Sequence, residues 1–206
     1  MSMWKGKTMI LSLLLISSLV AVQVPAEAST IPIVGGQTTI LLDSDLFSLL
    51  SGANISFSPE GSATLSGLTL TLPITGGTVD TDTEEAILLH LGSGLSFSRI
   101  LGSLVFANFL VDVNLGTETG GVTGDVSGRV LDFSNVPLFT IGSGYELFLT
   151  PQAAFAFSAF FGLPNLNGER FGAITFAPTL VPEPDTMILI GAGLGLLALR
   201  KVLVRS

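Results

Sequence analysis

Few residues in this chain can do chemistry. It has one histidine, His90, and no cysteine. That removes thiolate nucleophiles, thiolate zinc sites, disulfides and every multi-histidine metal centre. A hydroxyl nucleophile would have to recruit His90 as its base, and no Gly-x-Ser-x-Gly elbow occurs. Asp80, Asp82 and Glu84 recur at alternate positions, with Glu85 adjacent. A calcium loop begins in this way, because a hard cation needs several closely spaced oxygens. The rest of such a loop is missing: Glu85 stands where the turn glycine belongs and Leu91 where the closing glutamate belongs. A solvated acidic loop is the better reading. Carboxylate pairs for glycoside hydrolysis show no informative spacing among the acids. His90 ends the apolar run Ala86-Ile87-Leu88-Leu89 before a glycine-rich turn, where a lone histidine most often serves as a structural hydrogen-bonding group.

The elements that must position these residues are bounded by composition. The chain has 206 residues, 48% apolar, with 16 acids against 8 basic residues. Length allows one domain with appendages. A net charge of -8 argues against nucleic acid, whose phosphates need a basic face. No cofactor is expected, and the chain is not read as an enzyme.

Both ends read as addresses. Residues 1–28 have the parts of a signal peptide: Lys5 and Lys7, the apolar run Met9 to Val22, and Ala26-Glu27-Ala28, with small side chains at the signal peptidase positions Ala26 and Ala28. At the other end Pro182-Glu183-Pro184 precedes the apolar run Met187 to Leu199 and then Arg200, Lys201 and Arg205. Two prolines hold that backbone extended. The apolar run spans roughly 20 Å as a helix, short of the roughly 30 Å hydrocarbon core, so neighbouring residues must complete a transmembrane helix. Basic residues after it put the C-terminus in the cytoplasm and the preceding domain outside. The glycines at 191, 193 and 195 lie in this run, which favours helix packing over a nucleotide loop.

This tripartite tail resembles the PEP-CTERM sorting signal of Gram-negative bacteria. The resemblance implies export by a cleaved signal peptide, transient anchoring in the inner membrane, processing by an exosortase, and association with exopolysaccharide or biofilm matrix. It makes Pro182, Glu183 and Pro184 recognition residues. Asp185 departs from the Ser or Thr common at that place.

Residues 29–181 form the exported part, with thirteen acids and only Arg99, Arg129 and Arg170 as cations. All fourteen Phe lie here, which is enough for a core. Period-2 alternation dominates. Val105, Ala107, Phe109, Val111, Val113 and Leu115 form one apolar face opposite Asn108, Asp112 and Asn114; Leu68, Leu70 and Leu72, Leu95 and Phe97, and Tyr145, Leu147 and Leu149 form others. Glycine-rich turns separate them. The expectation is a mainly β fold, a single antiparallel β-sandwich or flattened barrel. Two short helices interrupt it, Asp45 to Ser51 capped by Asp43 or Ser44, and Pro151 to Gly162 capped by Thr150. They are expected to cover a sheet edge or mouth with Leu46, Leu49 and Leu50, and with Phe157, Phe160 and Phe161.

The strand, histidine, glycine turn and strand pattern from His90 to Phe97 resembles the HtaA-type haem-binding domains of bacterial surfaces. The resemblance implies a β-rich fold with short helices and a haem iron held through a tyrosine aided by a histidine. His90 and Tyr145 are the residues of those types in the exported part. The functional expectation is a non-catalytic surface or matrix protein; the alternative is an extracellular module binding haem or a glycan.

Overall fold

Alternating apolar residues build long strands, and the strands close on themselves. The computed structural model describes residues 30–100, 102–129 and 132–181. The signal peptide with Ala26 and Ala28, the segment Pro182-Glu183-Pro184 and the apolar run Met187 to Leu199 lie outside the described residues. The strands are β1 (Thr30–Leu42), β2 (Ser56–Gly61), β3 (Thr64–Ser66), β4 (Thr69–Pro73), β5 (Gly76–Asp80), β6 (Glu85–Arg99), β7 (Gly102–Asn114), β8 (Thr119–Gly128), β9 (Asp132–Gly142), β10 (Glu146–Leu149) and β11 (Arg170–Leu180). The helices are α1 (Ser44–Gly52) and α2 (Pro151–Phe161).

Neighbouring strands from β5 to β11 pair antiparallel in sequence order, and β1 pairs with both β5 and β11. The sheet therefore closes as a barrel, which leaves no edge along that circuit. Its wall forks where β5 ends. The first part of β1 and the first part of β6 are joined through β5, with Ile31 opposite Val79 and Thr78 opposite Ile87. Further along, β1 pairs instead with β4 and β6 with β2. The wall forks there into a seam, and α1 sits beside it. One end of the barrel carries the β5–β6, β7–β8 and β9–β10 turns and both ends of the described chain. The other carries the two helices.

Each helix starts where a side chain satisfies the free amides of its first turn. The Asp43 carboxylate accepts from the amides of Asp45 and Leu46 at 3.0 and 3.1 Å. Thr150 Oγ1 accepts from Ala153, Pro151 follows at the first helical position, and Gly162 ends α2 in a left-handed conformation. Arg99 donates to the Phe161 carbonyl at 2.9 Å, placing a cation at the helix C-terminus.

Phenylalanines from both helices plug the barrel end. Phe97 on β6 is fully buried, with ring centroids 4.8 Å from Phe157, 5.6 Å from Phe106 and 6.3 Å from Phe47. The Phe157 and Phe106 pairs are edge-on and the Phe47 pair is tilted, and such ring pairs add to the burial energy. The barrel interior, lined by residues including Ile40, Leu72, Phe106 and Phe139, leaves about 10 Å³ empty, roughly room for a single water. The core is solid.

Two expectations about facing need correction. On β7 the inward residues are Leu104 and Phe106, then Phe109, Val111 and Val113. Val105 and Ala107 are only half-buried, and Leu115 lies beyond the strand and is partly exposed. The cause is a bulge: the four residues from Ala107 to Leu110 face three on β8, Thr123 to Asp125, and Asn108 takes a positive φ of 54°. An extra residue moves the alternation to the other face. In α1 it is Phe47, not Leu49, that joins Leu46 and Leu50 in the core. In α2 Phe157 and Phe161 are buried as expected, and Phe160 packs half-buried over Gly102 and Gly128, where a side chain would collide or crowd. Phe97→Ala is expected to lower stability by about 3–5 kcal/mol, whereas Phe133→Ala, 52% exposed, should change it by less than about 0.5 kcal/mol. Urea denaturation of the two variants checks the difference.

Candidate functional site

The bulge on β7 belongs to a line of irregularities crossing the barrel. β6 carries two extra residues between His90 and Gly94 relative to β7, and β8 and β9 lose register between Gly124 and Val126. Polar side chains stitch these points together. Asn108 Oδ1 accepts from the Gly92 amide at 2.8 Å, and its Nδ2 donates to Asp125 Oδ2 at 2.8 Å. Asp125 Oδ1 accepts from the Asn135 amide at 3.1 Å. Backbone groups freed by the bulges are thereby satisfied.

His90 stands where this line meets the seam. Its β6 neighbours are paired to β5 on one side, Leu89 opposite Gly76, and to β2 on the other, Ser93 opposite Gly61. Its side chain is fully buried. Nδ1 lies 2.9 Å from the Pro73 carbonyl at the end of β4, and Nε2 lies 3.2 Å from Thr38 Oγ1 on β1. A carbonyl only accepts, so Nδ1 carries the proton and Nε2 accepts from the threonine hydroxyl. Burial holds the imidazole pKa below its usual value, outweighing the opposing effect of the Pro73 carbonyl. The ring is thus neutral with both nitrogens occupied.

Tyr145 lies elsewhere. It precedes β10 in a left-handed conformation with φ of 58°, packs edge-on against Phe176 at 5.7 Å, and donates from its hydroxyl to the Leu115 carbonyl at 3.3 Å. It borders a cleft of about 380 Å³ at the turn-bearing mouth, together with Val79, Ala86, Leu88, Leu115, Phe176 and Pro178. His90 and Tyr145 share no hydrogen bond, and each is engaged with different groups. The described hydrogen bonds do not bring the two side chains together. A second cleft of about 430 Å³ runs along α2, bordered by Phe133, Val136 and Phe155.

The acidic loop is a turn. Asp80 Oδ1 accepts from the amides of Asp82 and Thr83 at 2.9 and 3.0 Å, and these bonds hold its carboxyl below the ordinary range. Glu84 takes a positive φ of 57°. Among the described residues no group of three or more His, Asp or Glu side chains is arranged to hold a metal ion; of Asp80, Asp82 and Glu84, it is the Asp80 carboxylate that caps the turn. A cluster that sequence spacing did not reveal does form: Arg170 bonds Asp43 at 2.7 Å and Glu146 at 3.1 Å, joining the caps of β11, α1 and β10. The bonded amides, Leu46 foremost, and Arg170 hold the Asp43 carboxyl below its usual value.

Two comparisons place the chain. Residues 180–202 match the PEP-CTERM protein-sorting motif. This tail carries that motif. It implies an exported protein, anchored in the membrane before processing by an exosortase. No curated protein sequence matches the chain. Among solved structures, the C-terminal domain of HtaA from Corynebacterium glutamicum superposes with TM-score 0.59 at 15% identity, over 73% of this chain and 99% of that one. The haem-binding protein HtaB from the same organism superposes with TM-score 0.50 at 14% identity, over 74% and 96%, and the N-terminal domain of HtaA with 0.52 at 11%, over 73% and 99%. At these identities the likeness shows the fold. Among the described residues no helix is long and apolar enough to cross a membrane.

Because the folded state holds His90 neutral while the unfolded chain protonates it near its usual pKa of about 6.5, acidification favours unfolding. Stability is expected to be level above about pH 7 and to fall on going below it, by up to about 1.4 kcal/mol per pH unit until the folded pKa is passed. Asp43, depressed from 3.8, contributes stability that is lost only at lower pH. Denaturant titrations at pH 7.5, 6.0 and 5.0 should show the loss in the parent protein. His90→Gln, less stable at pH 7.5, should lack the step between pH 7.5 and 5.0.

Proposed function

We propose that this is an exported surface or extracellular-matrix protein whose barrel is a non-catalytic structural module, delivered by its PEP-CTERM tail. The observation that carries this reading is the filled interior. About 10 Å³ of free space leaves no chamber inside the barrel wall, and several side chains with chemical capability serve the fold. His90 ties strands together, Asp43 and Thr150 cap helices, and Asp125 satisfies a bulge. The signal peptide ending at Ala28 is removed by signal peptidase, and the tail crosses the inner membrane with its basic end in the cytoplasm. Exosortase then acts at Pro182-Glu183-Pro184, and the freed domain joins exopolysaccharide at the cell surface or in a biofilm. A strongly acidic exterior, with thirteen acids between 29 and 181, keeps such a domain soluble and repels nucleic acid.

A second reading, a ligand-binding module for haem or a glycan, is favoured by the likeness to haem-binding HtaB and by the apolar mouth beside Tyr145. In its haem form it requires Tyr145 to give up its bond to Leu115.

The mass of protein recovered from the cell surface is expected to begin at Ser29 and to lack residues 187–199. Retention of that run in cells with active exosortase would contradict the processing step. Haem added to the recovered protein should give no Soret shift beyond that of free haem. A shift lost in Tyr145→Phe would establish the second reading.

A further inference from the structure

The sorting motif and the barrel wall overlap. The motif begins at residue 180, yet Leu180 is the last residue of β11 and pairs with Ile33 of β1. The Val181 amide donates to the Pro32 carbonyl at 3.1 Å. Pro182 follows without a linker. Any protease that engages Pro182-Glu183-Pro184 works within roughly 10 Å of Val181, since an extended residue advances about 3.5 Å.

The end of β11 is weakly held. Its other neighbour, β10, reaches only to Glu146 opposite Ala173, with one further bond from the Ile174 amide to the Tyr145 carbonyl. From Thr175 onward the described pairing is to β1 alone. Pro32 has no amide to return the bond that Val181 gives it. A register shift between Ile33 and Gly35 separates this last contact from the regular ladder, and Ala177 to Val181 are exposed. β1, in contrast, stays anchored when β11 lifts, because Thr30 to Ile33 pair with β5 on their other side. Short pairings with exposed hydrogen bonds open at low free energy.

We propose that the pairing of Leu180 and Val181 with β1 is a built-in restraint on sorting: the protease takes the signal only from molecules in which this end of β11 has peeled away. Closed, the barrel shields the upstream side of the signal. Open, it presents an extended strand whose backbone bonds are free to be received by a partner. The inference rests on the exosortase reading of the tail, and the rate of processing is reduced by the fraction of molecules that are open.

The test follows processing of the full chain in exosortase-proficient cells by pulse-chase. Inserting six Gly/Ser residues between Val181 and Pro182 removes the need to peel, and processing should become at least about fivefold faster. The chain has no cysteine of its own, so the double variant Ile33→Cys, Leu180→Cys creates a single cross-strand disulfide in the oxidising compartment. Its oxidised form should remain unprocessed, and reductant should restore processing in the same protein, which controls for any folding defect. An unchanged rate with the spacer, or equal processing of oxidised and reduced forms, would overturn the restraint. A parent chain that is never processed would overturn the sorting reading and this inference together.

Discussion

The barrel depends on a buried histidine at the one place where its wall forks. β6 exchanges β5 for β2 there, and β1 exchanges β5 for β4. Two strands diverging from a common wall leave backbone carbonyls and amides facing each other at awkward spacing. An unpaired buried group costs about 1–3 kcal/mol. The neutral imidazole of His90 meets this constraint because it is donor on one edge and acceptor on the other. It gives a proton to Pro73 on β4 and takes one from Thr38 on β1. An aliphatic residue would fill the space and leave both groups unsatisfied. Among the described residues no buried side-chain polar atom lacks a partner.

The bulges that start beside His90 turn a long antiparallel sheet into a closed one. A regular ladder of strands as long as β6 and β7 would twist without curling enough to bring β11 back to β1. Extra residues on β6 and β7 bend both strands at the same level. Asn108 and Asp125 then tie the displaced backbone across to β9. Gly94 shows how close the strands come at this level: a Cβ there would run into the Phe106 carbonyl. With the wall bent, the helix-bearing end is narrow enough for Phe47 and Phe157 to meet on Phe97 and fill it.

This architecture gives the two ends of the barrel different roles. The helix-bearing end is packed with aromatic rings and pinned by the Asp43, Arg170 and Glu146 cluster. The turn-bearing end keeps an apolar cleft and releases the chain toward its sorting tail. A chain leaving directly into a membrane-sorting motif tethers that end toward the bilayer. The last residues of β11 before the tail pair with β1 alone and are exposed, so they open at lower free energy than the ring-packed end.

Much of this was legible in the residues. Period-2 alternation identified β4, β10 and the inner part of β7 because a strand with one buried face must alternate. Asp43, Thr150, Pro151 and Gly162 marked the helix ends because capping is a local interaction among neighbours in sequence. The tail declared itself through the order of Pro-Glu-Pro, apolar run and basic end, since a sorting signal is read as a linear peptide. What the sequence could not decide was everything set by partners far away along the chain. Asn108 resembled an ordinary outward polar residue, and only pairing with β6 and β8 turned it into a bulge that reverses the facing of Val105 and Ala107. His90 read first as a structural hydrogen-bonding group, with a ligand role as the alternative, and the sequence did not name its partners. The choice was made by Thr38 and Pro73, 52 and 17 residues away, whose approach depends on closing the barrel. Local propensity is written in neighbouring residues, whereas closure, seam and burial arise only when distant strands meet.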